Sequence, residues 1–394
     1  RLADLGGFGE LATTCPAMSP VAWSSFATGV DPSKHSVFDF LTRDRRTYRA
    51  KLSSAEVLPP ARRARLGRWT IPLSKPSVRM LRRGVPFWKT LAHHRVPCSI
   101  VRVPVTFPPD DFDGTMLSAM CVPDLQGTQG TFSVLEAHAE GRGETVGGQA
   151  VPLRQDGDGW VAEIPGPEHP LLPGRTLTSR IELRPAKGGG LTLVAGRQRE
   201  ALTLDENTPW VTLRYPVLAG LAVQGIARFR LLQADPPRVY VTPVQIDPAR
   251  PALPISHPVV FSVFLSKLIG PFATTGLAED TWALNEDVID EEAFLEQAHA
   301  NHAEREAMLF ELLDRTPKGL LACVFDATDR IQHMFMRYTD PGHPSLEGGR
   351  AAAQDEATRT RYAGVIDETY ERMDAMIGRV CEQVDPTDPN NLVA

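Results

Sequence analysis

The chain has 394 residues, 42% of them hydrophobic and 23% charged, a composition that suits a soluble globular protein of about two domains with a real core. A formal net charge of −6 gives no basic excess to neutralise a phosphate backbone, which excludes a nucleic-acid polymer as a general partner but leaves room for a small anion at a local cation. The longest apolar stretch, Pro258 to Ala273, is broken by Ser262, Ser266, Lys267 and Gly270 and falls short of the ~20 apolar residues of a spanning helix, so no membrane span is expected.

In chain order, Arg1 falls in a helical run already under way through Leu2 and Leu5, so the chain reads as part of a longer protein. The stretch CPAMSPVAWSSFATGVDPSKHSVFDF, residues 15–40, crowds small hydroxyls between a proline-rich approach and Thr28-Gly29; Ser24, Ser25 and Thr28 suit ordinary capping roles. Apolar spacing predicts a helix over Phe87 to His94 and a short β-branched strand over Ser99 to Val103, with Pro104, Pro108 and Pro109 as breakers. From about Gly127 to Asp247, apolar and polar residues alternate with period two between Gly, Pro, Asp and Asn turns, which predicts a β-rich insertion. Helical spacing returns at Glu291 to Asp314, with Phe294, Leu295, Ala298, Met308, Leu309, Leu312 and Leu313 on one side. Leu320 to Phe325 has the continuous apolar character of a strand buried on both faces in a parallel sheet. Thr360 to Val384 predicts a helix stopped by Asp385-Pro386, and Asn391 to Ala394 reads as the start of a further buried strand.

Together these elements predict an α/β fold, a mostly parallel sheet flanked by helices, built from residues 1–126 and 251–394 and interrupted by a β-rich insertion over residues 127–250. The five cysteines are scattered and lack CxxC spacing, fitting neither a disulfide framework nor a zinc ribbon and leaning toward a reducing, cytoplasmic compartment.

Chemistry concentrates at two places. Asp326 to Asp329 follow the predicted strand at Leu320 to Phe325, and the carboxyl ends of strands are where open α/β sheets hold their ligands. A helix starting near Thr328 brings Asp329 and His333, four apart, onto one face as a divalent metal requires, although such a pair is also a common solvated one. Asp326 is either a further ligand or a cap for that helix. The second place is the hydroxyl-rich stretch. No G-x-S-x-G elbow surrounds its serines, so a nucleophile there would need direct metal coordination instead of a partner base.

Ser19-Pro20, Thr28-Gly29 nine residues after Ser19, then Pro32 and His35, resemble the nucleophile segment of the alkaline phosphatase superfamily, in its type I phosphodiesterase/nucleotide pyrophosphatase branch. Asp329-Arg330-Ile331-Gln332-His333 is similar to that family's metal-binding Asp-x-x-x-His element, and RVPVTFPPDDFDGTMLSAMCVPD and TGLAEDTWALNE resemble microbial members of the branch. The resemblance implies an alkaline-phosphatase-like sheet and a hydrolase of phosphate esters that uses two divalent ions, most often zinc. Ser19 would be the nucleophile and a ligand of one ion, and Asp329 and His333 would be ligands of the other. The substrate would be a small phosphorylated molecule, met through a phosphoseryl intermediate, with Ala22, Thr28, His35, Asp39 and Asp326 as candidate substrate-facing or supporting positions. A phosphomutase or phosphotransferase would share the same serine and metals, and a non-catalytic binding protein would share the scaffold.

The departures from the pattern are specific. Nucleotide pyrophosphatases carry an Asn three positions after the nucleophile, where this chain has Ala22, and a Gly after the motif His, where it has Ser36. The family's remaining metal ligands, an Asp ending the first strand, an Asp-His-Gly element and a final His, have no counterpart in residues 1–394. The modified-residue pattern of sulfatases fits neither Cys15-Pro16 nor Ser19-Pro20. Specificity would lie in the insertion and in the loops from Phe38 to Arg46, where Arg43, Arg45 and Arg46 could meet an anionic group.

Overall fold

The computed structural model describes residues 6–74, 77–137, 146–186, 190–345 and 355–394, so the helical run expected at Arg1 to Leu5 lies outside the described residues. The fold is mixed α/β. Its helices are α1 (Ser19–Thr28), α2 (Pro32–His35), α3 (Phe87–His93), α4 (Val260–Ile269), α5 (Thr281–Asn285), α6 (Glu291–Leu313), α7 (Ala327–Thr339), α8 (Glu356–Tyr362) and α9 (Val365–Gln383). None of the described helices is long and apolar enough to cross a membrane.

The element that positions the candidate site is a small sheet of β1 (Cys98–Val101), β2 (Thr115–Leu117), β3 (Ser256–His257) and β4 (Leu320–Cys323), in the spatial order β3-β2-β1-β4. β4, β1 and β2 run parallel and β3 is antiparallel to β2. Successive side chains point to opposite faces, and the residues obey this. Val101 and Leu117 face a cluster with Phe261, Leu265, Phe272, Met308 and Leu312 of the α4 and α6 side. Ile100 and Met116 face Ala27 of α1 and Trp88 of α3. Three layers result, with helices on both faces of the sheet.

Parallel pairing is less extensive than the sequence suggests. Most strands among the described residues belong to antiparallel or mixed sheets. The apolar run predicts a strand over Leu320 to Phe325 buried on both faces; β4 spans Leu320–Cys323, sits at the edge of the sheet and is only half-buried. Residues 391–394 form no strand, and Leu392 is exposed. The helix expected from Thr360 to Val384 is split at Ala363-Gly364 into α8 and α9, with Asp355 capping the first through its acceptance from Thr358 N at 2.9 Å. Three short hairpin-like pairings between Leu41 and Met80 complete the N-terminal part.

The period-two segments form strands. Arg154–Asp156, Gly159–Glu168, Thr176–Pro185, Leu191–Ala195 and Gln198–Leu202 make a five-stranded antiparallel meander, and Val211–Leu218 and Leu221–Ala227 pair beside it. A further sheet, containing Phe132–Glu136 and Pro237–Val241, lies between this layer and the helices. Leu135 and Val239 pack into the β-rich core, while Phe132, Val134 and Tyr240 pack against Leu284, Phe294, Ile331 and Phe335. The insertion therefore shares its packing with α5, α6 and α7.

Candidate active site

The first turn of α1 starts at Ser19, preceded by Met18 and followed by Pro20, whose missing N–H costs nothing at a helix start. The four hydroxyls of this helix have different fates. Ser24 Oγ donates to Pro20 O at 2.6 Å and Thr28 Oγ1 to Ser24 O at 2.6 Å, each one turn back along the helix. Ser25 Oγ accepts from His35 Nε2 at 3.0 Å. The Ser19 hydroxyl, half-buried, has no hydrogen bond among the described residues. Ala22 is half-buried on the same helix, with its N–H given to Met18 O at 3.0 Å.

His35 is fully buried, and both of its ring nitrogens are used. Nδ1 accepts from Val37 N at 3.2 Å, which leaves Nε2 as the N–H that serves Ser25. Burial, and then the Arg82 charge, lower its pKa, so the ring stays neutral and locks the α1–α2 turn. Ser36, next to it, takes φ 65° and ψ 21°, a left-handed conformation that favours glycine. Ser36→Gly is expected to stabilise the fold by ~0.5–1 kcal/mol, the relieved strain being partly offset by the freer unfolded chain, as read from the denaturant midpoint at unchanged m-value.

The second place is α7, which begins directly after β4. Asp329, in its first turn, has Oδ1 3.4 Å from His333 Nε2, and the side chains are 45% and 67% exposed. Arg330 Nη1 lies 3.7 Å from the other Asp329 oxygen. The expected carboxylate–imidazole pairing is thus present and open to solvent. Asp326 departs from its expected role as a cap. It occupies the N-cap position but makes no capping bond; its carboxylate instead pairs with the buried guanidinium of Arg305 on α6. Asp39 is exposed and accepts from Phe40 N at 2.5 Å.

Trp23, one turn after Ser19, packs against the cluster holding Val103 and against that of Val105, Met120 and Cys121, beyond the carboxyl end of β1. Val324, just past the end of β4 and three residues before α7, packs against the same Val103 cluster. The first turns of α1 and α7 therefore stand at one end of the sheet. Ser19 is not in contact with Asp329 or His333 through any hydrogen bond or ion pair among the described residues.

This end of the sheet is also strained and charged. Arg102, Val105 and Cys121 have φ of 58°, 58° and 81°, the β-branched Val105 being the least expected of the three. Arg102 is buried and donates to Ser118 O at 3.2 Å, Thr274 O at 3.3 Å and Thr275 O at 3.0 Å. Desolvation, with the charge of Arg305, pushes its pKa down to about 9, so it remains a cation at neutral pH. Glu279 accepts from Asn301 at 3.1 Å and lies 3.8 Å from Arg305. Sequence reasoning missed this network, although a charged residue inside the apolar run Ile100 to Val105 was its signal.

Asp329 and His333 offer two donors of the type zinc takes, short of the three or four protein ligands of its usual sites. No group of three or more His, Cys, Asp or Glu that could hold a metal occurs among the described residues. No protein-family model, curated protein or solved structure matches the chain.

Proposed function

We propose that this chain carries the nucleophile and one carboxylate–imidazole pair of a metal-dependent centre that cleaves phosphate esters, on an alkaline-phosphatase-like sheet. The observation that carries the proposal is the placement of an unengaged hydroxyl, Ser19, in the first turn of a helix at the same end of the sheet from which α7 presents Asp329 and His333. The positive end of the α1 macrodipole faces the same region and favours an incoming phosphoryl anion. In this reading Ser19 Oγ attacks phosphorus and displaces the ester oxygen, and water then cleaves the phosphoseryl bond. Divalent ions, when bound, would supply Lewis-acid stabilisation of the oxygens. The motif resemblance implies zinc and further ligands without counterpart among residues 1–394.

The test is hydrolysis of an aryl phosphate monoester and diester by the full-length protein, with and without chelator. Asp329→Asn combined with His333→Gln is expected to lower the rate at least about a hundredfold, and chelation to do the same. Both side chains are exposed, so the unfolding midpoint should barely move. Undiminished turnover in the double variant or in chelator would refute the proposal. A second reading, a binding protein on the same scaffold, is favoured by the two-donor set and by Ala22; binding of a phosphate ester without turnover would select it.

A further inference from the structure

Between the five-stranded meander and the strand Val211–Leu218 lies a groove of about 1010 Å³, lined by none of the candidate site residues. The strand Thr176–Pro185 pairs with Leu191–Ala195 only from Glu182 onward, and Val211–Leu218 pairs on one side with Leu221–Ala227. The two free edges face each other. Arg214 N donates across to Ser179 Oγ at 3.2 Å and Thr212 N to Gln198 Oε1 at 2.6 Å. Period-two alternation turns Ile181, Leu213 and Tyr215 into the core and leaves Thr176, Thr178, Arg180 and Arg214 outward.

The charge of this groove runs against that of the chain. Arg175, Arg197 and Arg214 are exposed, and none has a carboxylate within ion-pair distance among the described residues. Arg180 is shared with Asp156 at 3.3 Å and Glu182 at 3.5 Å, and Glu163, opposite it in register, is the one acid of the lining. His169 Nδ1 accepts from Leu171 N at 3.1 Å, so its Nε2 carries the proton and adds a donor. Three guanidinium groups with no carboxylate partner among the described residues thus line one groove in a chain of formal net charge −6.

We propose that this groove binds a segment of anionic glycan, its carboxylates or sulfates held by Arg175, Arg197 and Arg214 and its hydroxyls by Thr176, Thr178 and Gln224. Guanidinium is the side chain that meets planar or tetrahedral oxyanions in pairs of hydrogen bonds. The groove volume lies at the upper end of small-ligand pockets, ~300–1000 Å³, and suits several sugar units better than one small ion. The lining contains no Phe, Tyr or Trp, so it offers no platform for nucleobases or for the C–H face of a neutral sugar. An acidic peptide adding as a strand is disfavoured, because the Thr212 and Arg214 N–H groups of the free edge are already taken by side chains.

Titration calorimetry with a heparin oligosaccharide and an oligogalacturonate separates the sulfated from the carboxylated source. Binding of at least one is expected, weakened about tenfold or more in the Arg175→Gln, Arg197→Gln, Arg214→Gln triple variant and with a shallower salt dependence. Lys267→Gln on α4 should leave it unchanged. The single Arg197→Gln variant, in a turn, gives the same sign of effect should the triple variant misfold. Binding of neither glycan, undiminished binding by the triple variant, or equal binding of poly-aspartate or oligo-dT would overturn the proposal.

Discussion

Arg102→Ala is expected to cost about 3–5 kcal/mol of folding stability, a large loss for one side chain. Arg102 is 2% exposed, and its guanidinium reaches three carbonyls, one after β2 and two in the segment leading to α5. Truncation leaves those carbonyls dry and unpaired, each an unmet desolvation cost, and opens a void beside Glu279. Arg102→Lys should recover only part of the loss, since an ammonium donates from one centre where the guanidinium fork spans two carbonyls of the same segment. The left-handed backbone of residue 102 persists in either variant, so it does not confuse the comparison. Equilibrium unfolding in denaturant at constant m-value measures the effect; a shift below about 1 kcal/mol would mean that water replaces the side chain at this end of the sheet.

Ser19→Ala is expected to remove phosphate-ester hydrolysis by about a thousandfold or more in kcat/KM, with little change in stability. The hydroxyl has no partner within the described protein, so its loss strands no buried group. Ser24→Ala is the matching control. That hydroxyl only bonds back to Pro20 O, and its removal should leave kcat/KM within a few-fold while touching the same helix. A thousandfold loss in Ser19→Ala beside a near-normal Ser24→Ala would place the effect in the reacting atom and not in helix α1 as a whole.

Much of the layered core was legible because its residues follow simple periods. The helix at Phe87, the long helix from Glu291 and the strands between Phe132 and Ile246 lie where apolar spacing puts them, while the strand expected over Ser99 to Val103 runs from Cys98 to Val101 and stops where Arg102 turns left-handed. The pairing of Asp329 with His333 follows from a spacing of four on a helix. Less was legible where tertiary contacts decide. The hairpin-like pairings between Leu41 and Met80 carry few strong turn signals, and β4 is an edge strand because pairing partners, not its own apolar run, set its place in the sheet. Asp326 has the residue type of a cap, yet the buried Arg305 on another helix competes for its carboxylate and wins. The arginine groove assembles side chains from Glu163 to Gln224, a grouping that no single segment displays.

The direct measurement of the central claim is an acid quench of the full-length protein during turnover of an aryl phosphate, followed by peptide mapping by mass spectrometry. The account predicts a phosphoryl group on the peptide bearing Ser19, localised to that side chain, absent from Ser19→Ala and absent after chelation. Sustained turnover with no phosphate on Ser19, or with phosphate on another residue, would contradict it.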